Sequence, residues 1–160
     1  MSLLQTRLES EGYGYEVVNA SVSGDTTGAA LTRLPRALEL HQPAIVIVEL
    51  GGNDGLRGTP VGEMQRNLES IIERARDAGA EVLLTGIRIP PNYGAEYTQR
   101  FNAVYTGLVE RYRVPMVPFI LDGIALEPAL MQTDGIHPTA DAQPRILDNV
   151  WTKLEPMLAQ

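Results

Sequence analysis

Hydrophobic residues crowd most densely between Ala44 and Leu50 (AIVIVEL), where nearly every position is apolar and several are β-branched. That is the pattern of a strand buried on both faces. The period then changes. Leu68, Ile71, Ile72 and Ala75 recur at helical spacing, which predicts one long helix opened by Pro60 and running to about Ala78. Gly79 is its C-terminal cap, because glycine tolerates the left-handed conformation. Further strands are predicted at Glu81 to Ile87 and in VPMVPF (114–119). Between them lie the rigid loop IPPNYG (89–94) and a helix from about Ala95 to Tyr112. Upstream, Tyr15 to Ala20 (YEVVNA) is a short strand candidate, and residues 26–41 read as a helix whose apolar contacts are Ala29, Leu31, Leu34, Leu38 and Leu40. Pro35 is expected to break or kink that helix, since it lacks an N–H and crowds the preceding turn. GGNDGLRGT (51–59) reads as a glycine-rich loop, and TDGIHP (133–138) precedes a last helix from about Ala140 to Leu158. The opening MSLLQTRLESEGYGYE reads as a short helix already under way, with an expected start further upstream.

Strands alternating with helices imply right-handed crossovers and a parallel sheet covered on both faces. Ligands of such sheets sit beyond the carboxyl ends of the strands. Three polar clusters fall at those ends: SGDT after the first strand, GGND after the second and DGIHP after the last. If the fold is of this kind, Gly24, Asn53 and His137 are expected to line one cleft.

Composition narrows the function. The 160 residues contain no internal repeat or linker and suit a single domain, with 44% hydrophobic and 21% charged residues. A net charge of −7 without any basic run argues against nucleic acid as the main partner. The absence of cysteine removes disulfides, thiolate nucleophiles and zinc–thiolate sites. With only His41 and His137, a multi-histidine metal site is disfavoured, and neither a metal nor a cofactor is expected. No apolar run approaches the roughly 20 residues that span a bilayer, and the N-terminus lacks a signal-peptide pattern.

Each polar cluster supports two readings. Gly24 follows a strand and opens a helix, so its N–H either faces an oxyanion or merely belongs to a turn before a cap at Asp25 or Thr26. Asn53 either offers a side-chain N–H to the same oxyanion or closes an Asx turn. Asp134 lies three residues before His137 in a turn marked by Gly135 and Pro138. A carboxylate so placed holds one ring nitrogen and leaves the other to act as a base; the plainer reading is a helix cap beside an incidental histidine. His41 reads as a solvated histidine at a helix end. Arg57 either touches substrate or closes its loop.

Together these residues resemble the SGNH/GDSL hydrolases, most closely the bacterial multifunctional thioesterase, arylesterase and lysophospholipase branch. NASVSGDT is similar to that branch's second block, VELGGNDGLRG to its third and MQTDGIHPTADAQP to its fifth, while IRIPPNYG and VPMVPF resemble its connecting segments. The resemblance implies a three-layer α/β/α sandwich with a mostly parallel, flavodoxin-like sheet. It implies acyl ester or thioester hydrolysis without a metal. Gly24 and Asn53 become oxyanion donors, Asp134 the orienting acid and His137 the base. The loops at 55–62 and 88–94 become candidates for an acyl channel, through Leu56, Ile89, Pro90, Pro91 and Tyr93. The same resemblance implies a periplasmic or secreted complete protein.

One block is absent. Gly-Asp-Ser-Leu, which carries the family's nucleophile at the end of its first strand, occurs nowhere in these residues. Ser21 and Ser23 are the nearest serines, and neither sits in an elbow that would aim a hydroxyl into a cleft. The chain is therefore expected to be N-terminally incomplete and inactive alone. In the resembled fold the lost strand lies between Tyr15 to Ala20 and Ala44 to Leu50. One of three outcomes is expected: an exchanged segment or dimer filling the gap, direct pairing of the flanking strands, or residues missing from this sequence. The alternative function is a noncatalytic acyl- or sugar-binding module that keeps the pocket without the serine.

Overall fold

Helices and strands alternate along the chain in a computed structural model, which describes residues 2–158, the side chain of Pro91 excepted. The elements are α1 (Leu3–Ser10), α2 (Thr27–His41), β1 (Ile45–Val48), α3 (Gly52–Leu56), α4 (Val61–Asp77), β2 (Glu81–Thr85), α5 (Ala95–Tyr112), β3 (Met116–Val117) and α6 (Gln143–Leu154). They fall into two units. One comprises Ala20–Pro118; the other joins the segment up to Asn19 with the segment from Phe119 onward.

The Ala20–Pro118 unit is built on a parallel sheet of order β1-β2-β3, with Ile45 opposite Glu81, Val48 opposite Leu84 and Thr85 opposite Val117. The parallel α/β class expected from the alternation is the class observed, with α4 and α5 as the crossovers. Val46, Val48, Val82 and Leu84 share a core with Met64, Leu68, Ile71, Ile72 and Ala75 of α4. Phe101, Val104, Tyr105 and Leu108 of α5 complete it. Each fully buried Val, Leu, Ile, Phe or Met among them stabilises by about 1.5–3 kcal/mol. Helix ends follow local chemistry: Thr26 Oγ1 accepts from Ala29 N–H at 3.3 Å to start α2, and Gly79 takes φ +87° just after α4. At the far end of β2, Gly86 N–H donates to Val117 O at 2.7 Å. A Cβ on Gly86 would lie 2.3 Å from Pro118 O, so only glycine permits this approach.

Several expectations are corrected. Pro35 does not break α2, which runs through it. The proline is exposed, so water can satisfy the carbonyl that its missing N–H leaves free. Ala29 and Leu40 point to solvent rather than into the core. GGND is not an irregular loop but the first part of α3; Gly51, at φ +114°, accepts from Gly55 N–H at 2.9 Å. The strands are shorter than their apolar runs, and β1 is not buried on both faces, because Ile47 is 36% exposed. Tyr15 to Ala20 forms no strand. It joins no sheet among the described residues; its backbone is held instead by Gln5, which accepts from Val17 N–H at 2.7 Å and donates to Tyr15 O at 3.2 Å.

In the other unit α1 packs on α6. Tyr13 meets Trp151 edge-on at 6.0 Å, while Arg7 lies 4.5 Å over the Trp151 ring and donates to Asp148 at 2.6 Å. The last helix is divided, with 3-10 turns at Ala140–Ala142 and Glu155–Met157 flanking α6. Pro144, in the first turn of α6, marks the change. Asn149 Nδ2 donates to Ile120 O at 3.0 Å and Asp122 O at 2.9 Å, which anchors the irregular stretch before DGIHP.

Candidate active site

Gly24 and Asn53 both belong to the Ala20–Pro118 unit, and the structure brings their turns together. Gly24 takes φ +83°, a left-handed conformation suited to glycine. Its carbonyl accepts from Arg57 at 3.0 Å. Asn53 Nδ2 donates to Asp25 O at 3.0 Å, so one of its two amide hydrogens remains for another acceptor. Arg33 fastens the turn from its far side, donating to Ala20 O at 3.2 Å and pairing with the Asp25 carboxylate. Arg57 thus closes the turn, one of the two roles weighed for it.

Sequence reasoning missed what lies behind these turns. Asp54 is 1% exposed and Thr27 fully buried. Asp54 accepts from Thr27 N–H at 2.8 Å and from Thr27 Oγ1 at 2.6 Å, and Asn67 Nδ2 donates to the same hydroxyl at 3.1 Å. A buried carboxylate is tolerated only when its oxygens find such donors. The one signal in the sequence was a charged residue set between Asn53 and Gly55, where α3 turns into the core. Tyr105 donates to Leu50 O at 2.9 Å. Burial first, and then the charge of Asp54, push its phenol far above the ordinary value, so it stays a donor.

Asp134 and His137 belong to the other unit. Their loop is closed at its base by an antiparallel bridge between Met131 and Pro138, with Gln132 N–H donating to His137 O at 2.8 Å. Gly135, at φ +66°, makes the tight reversal. Asp134 Oδ1 accepts from the N–H groups of Ile136 (2.9 Å) and His137 (3.0 Å), and Oδ2 lies 2.7 Å from His137 Nδ1. Both side chains are open to solvent. The ring bond, reinforced by the two backbone donors, lowers the Asp134 carboxyl to about 2. An ionised Asp134 keeps the proton of neutral His137 on Nδ1 and leaves Nε2 as the acceptor. A depressed carboxyl pKa contributes stability above its ordinary value, near 3.8, and loses it as pH falls toward 2. Carboxyl carbon NMR should accordingly titrate Asp134 with a midpoint near 2, and His137→Ala should move it back toward 3.8.

The channel candidates are differently placed. Tyr93 ends a 3-10 turn, Pro91–Tyr93, and donates to Leu56 O at 3.0 Å; both residues are half-buried. Tyr97 donates to Thr59 O at 2.9 Å, a second tie between the start of α5 and the loop after α3. Ile89 is 6% exposed and belongs to the core, where a Cβ on Gly55 would meet its Cγ2 at 2.4 Å. The side chain of Pro91 lies outside the described residues. Ser23 is exposed in the Gly24 turn, Ser21 is exposed just before it, and His41 is exposed at the end of α2. Among the described residues no group of acidic, histidine or cysteine side chains is arranged to hold a metal ion, and no helix is long and apolar enough to cross a membrane.

Comparison with known proteins places these features in a family. Residues 1–143 match the model of the GDSL-like Lipase/Acylhydrolase family. The chain is 51% identical over 158 residues to the Esterase TesA of Pseudomonas aeruginosa strain PAO1, covering 99% of this chain and 79% of that protein. It is 44% identical over 153 residues to the Arylesterase of Vibrio mimicus, covering 96% and 76%. Thioesterase 1/protease 1/lysophospholipase L1 of Escherichia coli K12 is 48% identical over 142 residues, covering 89% and 68%. Among solved structures, the crystal structure of TesA matches with a TM-score of 0.94 at 52% identity, over 98% of this chain and 87% of that one. AlinE4, an SGNH-hydrolase family esterase, matches at 0.78 and 40% identity, over 98% and 84%. The blocks around Gly24, Asn53 and His137 thus sit in a chain that belongs to the GDSL-like lipase/acylhydrolase family, whose relatives here are ester hydrolases.

Proposed function

We propose that these residues supply the base, the orienting acid and the oxyanion donors of a serine-dependent hydrolase for carboxylic esters and acyl thioesters. The substrates are of the arylesterase, acyl-CoA thioesterase and lysophospholipase type. The nucleophile comes from a Gly-Asp-Ser-Leu strand, and residues 1–160 without that strand are inactive. The observation that carries this is the 2.7 Å contact of Asp134 with His137 Nδ1, which leaves Nε2 free to accept a proton. Family membership supports it, as do relatives named esterase, arylesterase and thioesterase.

The chemistry follows from the groups. The serine oxygen bonds to the acyl carbon while its proton passes to His137 Nε2, and Asp134 steadies the imidazolium. Gly24 N–H and the spare N–H of Asn53 receive the charge that develops on the carbonyl oxygen. When the bond to the alcohol or thiol breaks, His137 returns the proton to the leaving group. Water then repeats the sequence on the acyl-enzyme and releases the acid. Leu56 and Tyr93 contact the acyl chain, while Ile89, packed in the core, supports their loop. The serine-bearing strand pairs with the outer edge of β1, which has no strand partner among the described residues.

The test is to join a strand–helix segment carrying Gly-Asp-Ser-Leu ahead of the chain and measure hydrolysis of an aryl ester and an acyl-CoA. Turnover of both is expected, with Asn53→Ala lowering kcat by about 10²–10³-fold, the usual cost of losing one oxyanion donor. Acyl-ligand binding without any turnover would favour the noncatalytic binding module instead.

A further inference from the structure

Two oxyanion donors on separate turns are useful only if their spacing is held, and the candidate site shows a group placed to hold it. We propose that the buried Asp54–Thr27 pair sets the spacing of Gly24 and Asn53, and that Thr27 and Asp54 are positioning residues for ester hydrolysis. This rests on the hydrolase function proposed above.

The placement is direct. Thr27 lies three residues after Gly24 and Asp54 immediately follows Asn53. The two Asp54 oxygens take the two donors of the one residue Thr27, its N–H at 2.8 Å and its hydroxyl at 2.6 Å. A two-point contact fixes rotation as well as distance, which a single hydrogen bond does not. Asn67 Nδ2, at 3.1 Å from Thr27 Oγ1, orients the hydroxyl so that its proton faces Asp54. The pair satisfies the buried Thr27 N–H, but it is not the only hold on the start of α2. Thr26 already caps the helix through Ala29 N–H, and Leu31, Leu34 and Leu38 pack its inner face. Burying a carboxylate is costly unless it is fully satisfied, so a neutral pair would serve packing more cheaply. A charged, bidentate pair serves geometry. Its neighbours reinforce the same join, with Asn53 on Asp25 O and Arg57 on Gly24 O, each at 3.0 Å.

The test uses the strand-bearing enzyme and Thr27→Val, which keeps the side-chain shape and removes the hydroxyl. Rates are expressed per active site, counted by fluorophosphonate labelling carried to completion. We expect kcat to fall about 10–100-fold, as displaced catalytic groups commonly do. KM should stay within about threefold, because transition-state rather than ground-state binding is lost. Thr27→Ser should recover most of the lost kcat. In the 160-residue chain itself, Thr27→Val should broaden or split the NMR signals of the Gly24 N–H and the Asn53 side-chain amide, while methyl signals of Leu68 and Leu108 stay in place. Should Thr27→Val fail to fold, Asn67→Ala, which removes only the orienting donor, should give a smaller loss in kcat with KM held. An unchanged kcat per site with only a lower melting temperature would overturn the proposal, and so would unchanged Gly24 and Asn53 signals. If the strand-bearing enzyme itself shows no turnover, the proposed hydrolase function falls, and the NMR comparison alone still decides whether Thr27 holds the two turns.

Discussion

His137→Ala is expected to lower kcat of the strand-bearing enzyme by about 10⁴–10⁶-fold, the range found when a triad base is removed. The same substitution should leave the rate of the 160-residue chain unchanged, at the background hydrolysis of an activated aryl ester. The contrast arises because a triad acts as a unit. His137 has Asp134 at 2.7 Å to hold its tautomer, yet an imidazole without a hydroxyl to deprotonate forms no acyl-enzyme. Oxyanion donors and binding alone leave roughly 10³–10⁴-fold over water, which is hard to see above spontaneous hydrolysis. Steady-state assays of the four proteins, each with and without the strand and the histidine, provide the comparison. A fall on His137→Ala in the short chain would mean that some hydroxyl within residues 1–160 already serves as the nucleophile.

Phe101→Ala is the most damaging single change expected for folding, with a loss of about 3–5 kcal/mol. Phe101 is wholly buried on α5, 5.7 Å from the Tyr105 ring and 6.4 Å from that of Tyr97. It also meets the turn of α3, since a Cβ on Gly55 would lie 3.0 Å from its ring. Truncation therefore opens a cavity bordered by α3, the helix that carries Asn53, and neighbours held by Tyr97 and Tyr93 to backbone carbonyls cannot collapse into it freely. The loss is a large share of the roughly 5–15 kcal/mol by which a domain is stable. Urea denaturation should show a lower midpoint with an unchanged slope. A shift below about 1 kcal/mol, the scale of ordinary surface changes, would show that the site repacks.

What the sequence disclosed depended on how local each feature is. The helices α4 and α5 were legible because their apolar spacing is periodic over several turns, and Ala95–Tyr112 matches the expected bounds. The Asp134–His137 contact was legible for a similar reason, since three residues and one glycine turn bring the groups together. The helical turn at GGND was hidden. Glycines give no periodic signal, and the turn is shaped partly by Tyr105, whose hydroxyl would lie 2.2 Å from a Cβ on Gly51. Asp54 was overlooked because its partner, Thr27, is 27 residues away and neither residue type announces burial. Tyr15 to Ala20 has strand-like composition, but composition cannot supply the neighbouring strand whose hydrogen bonds define the state.

The central proposal is that Gly24, Asn53, Asp134 and His137 serve acyl transfer with a serine supplied from outside residues 1–160. Intact-mass spectrometry after exposure to a fluorophosphonate tests it most directly, with peptide mapping of the labelled residue. The 160-residue chain is expected to keep its mass, and the strand-bearing form to gain one phosphonyl group on the serine of Gly-Asp-Ser-Leu, with labelling lost on His137→Ala. Stoichiometric labelling of Ser21 or Ser23 in the 160-residue chain would contradict the account and make the chain an enzyme as it stands.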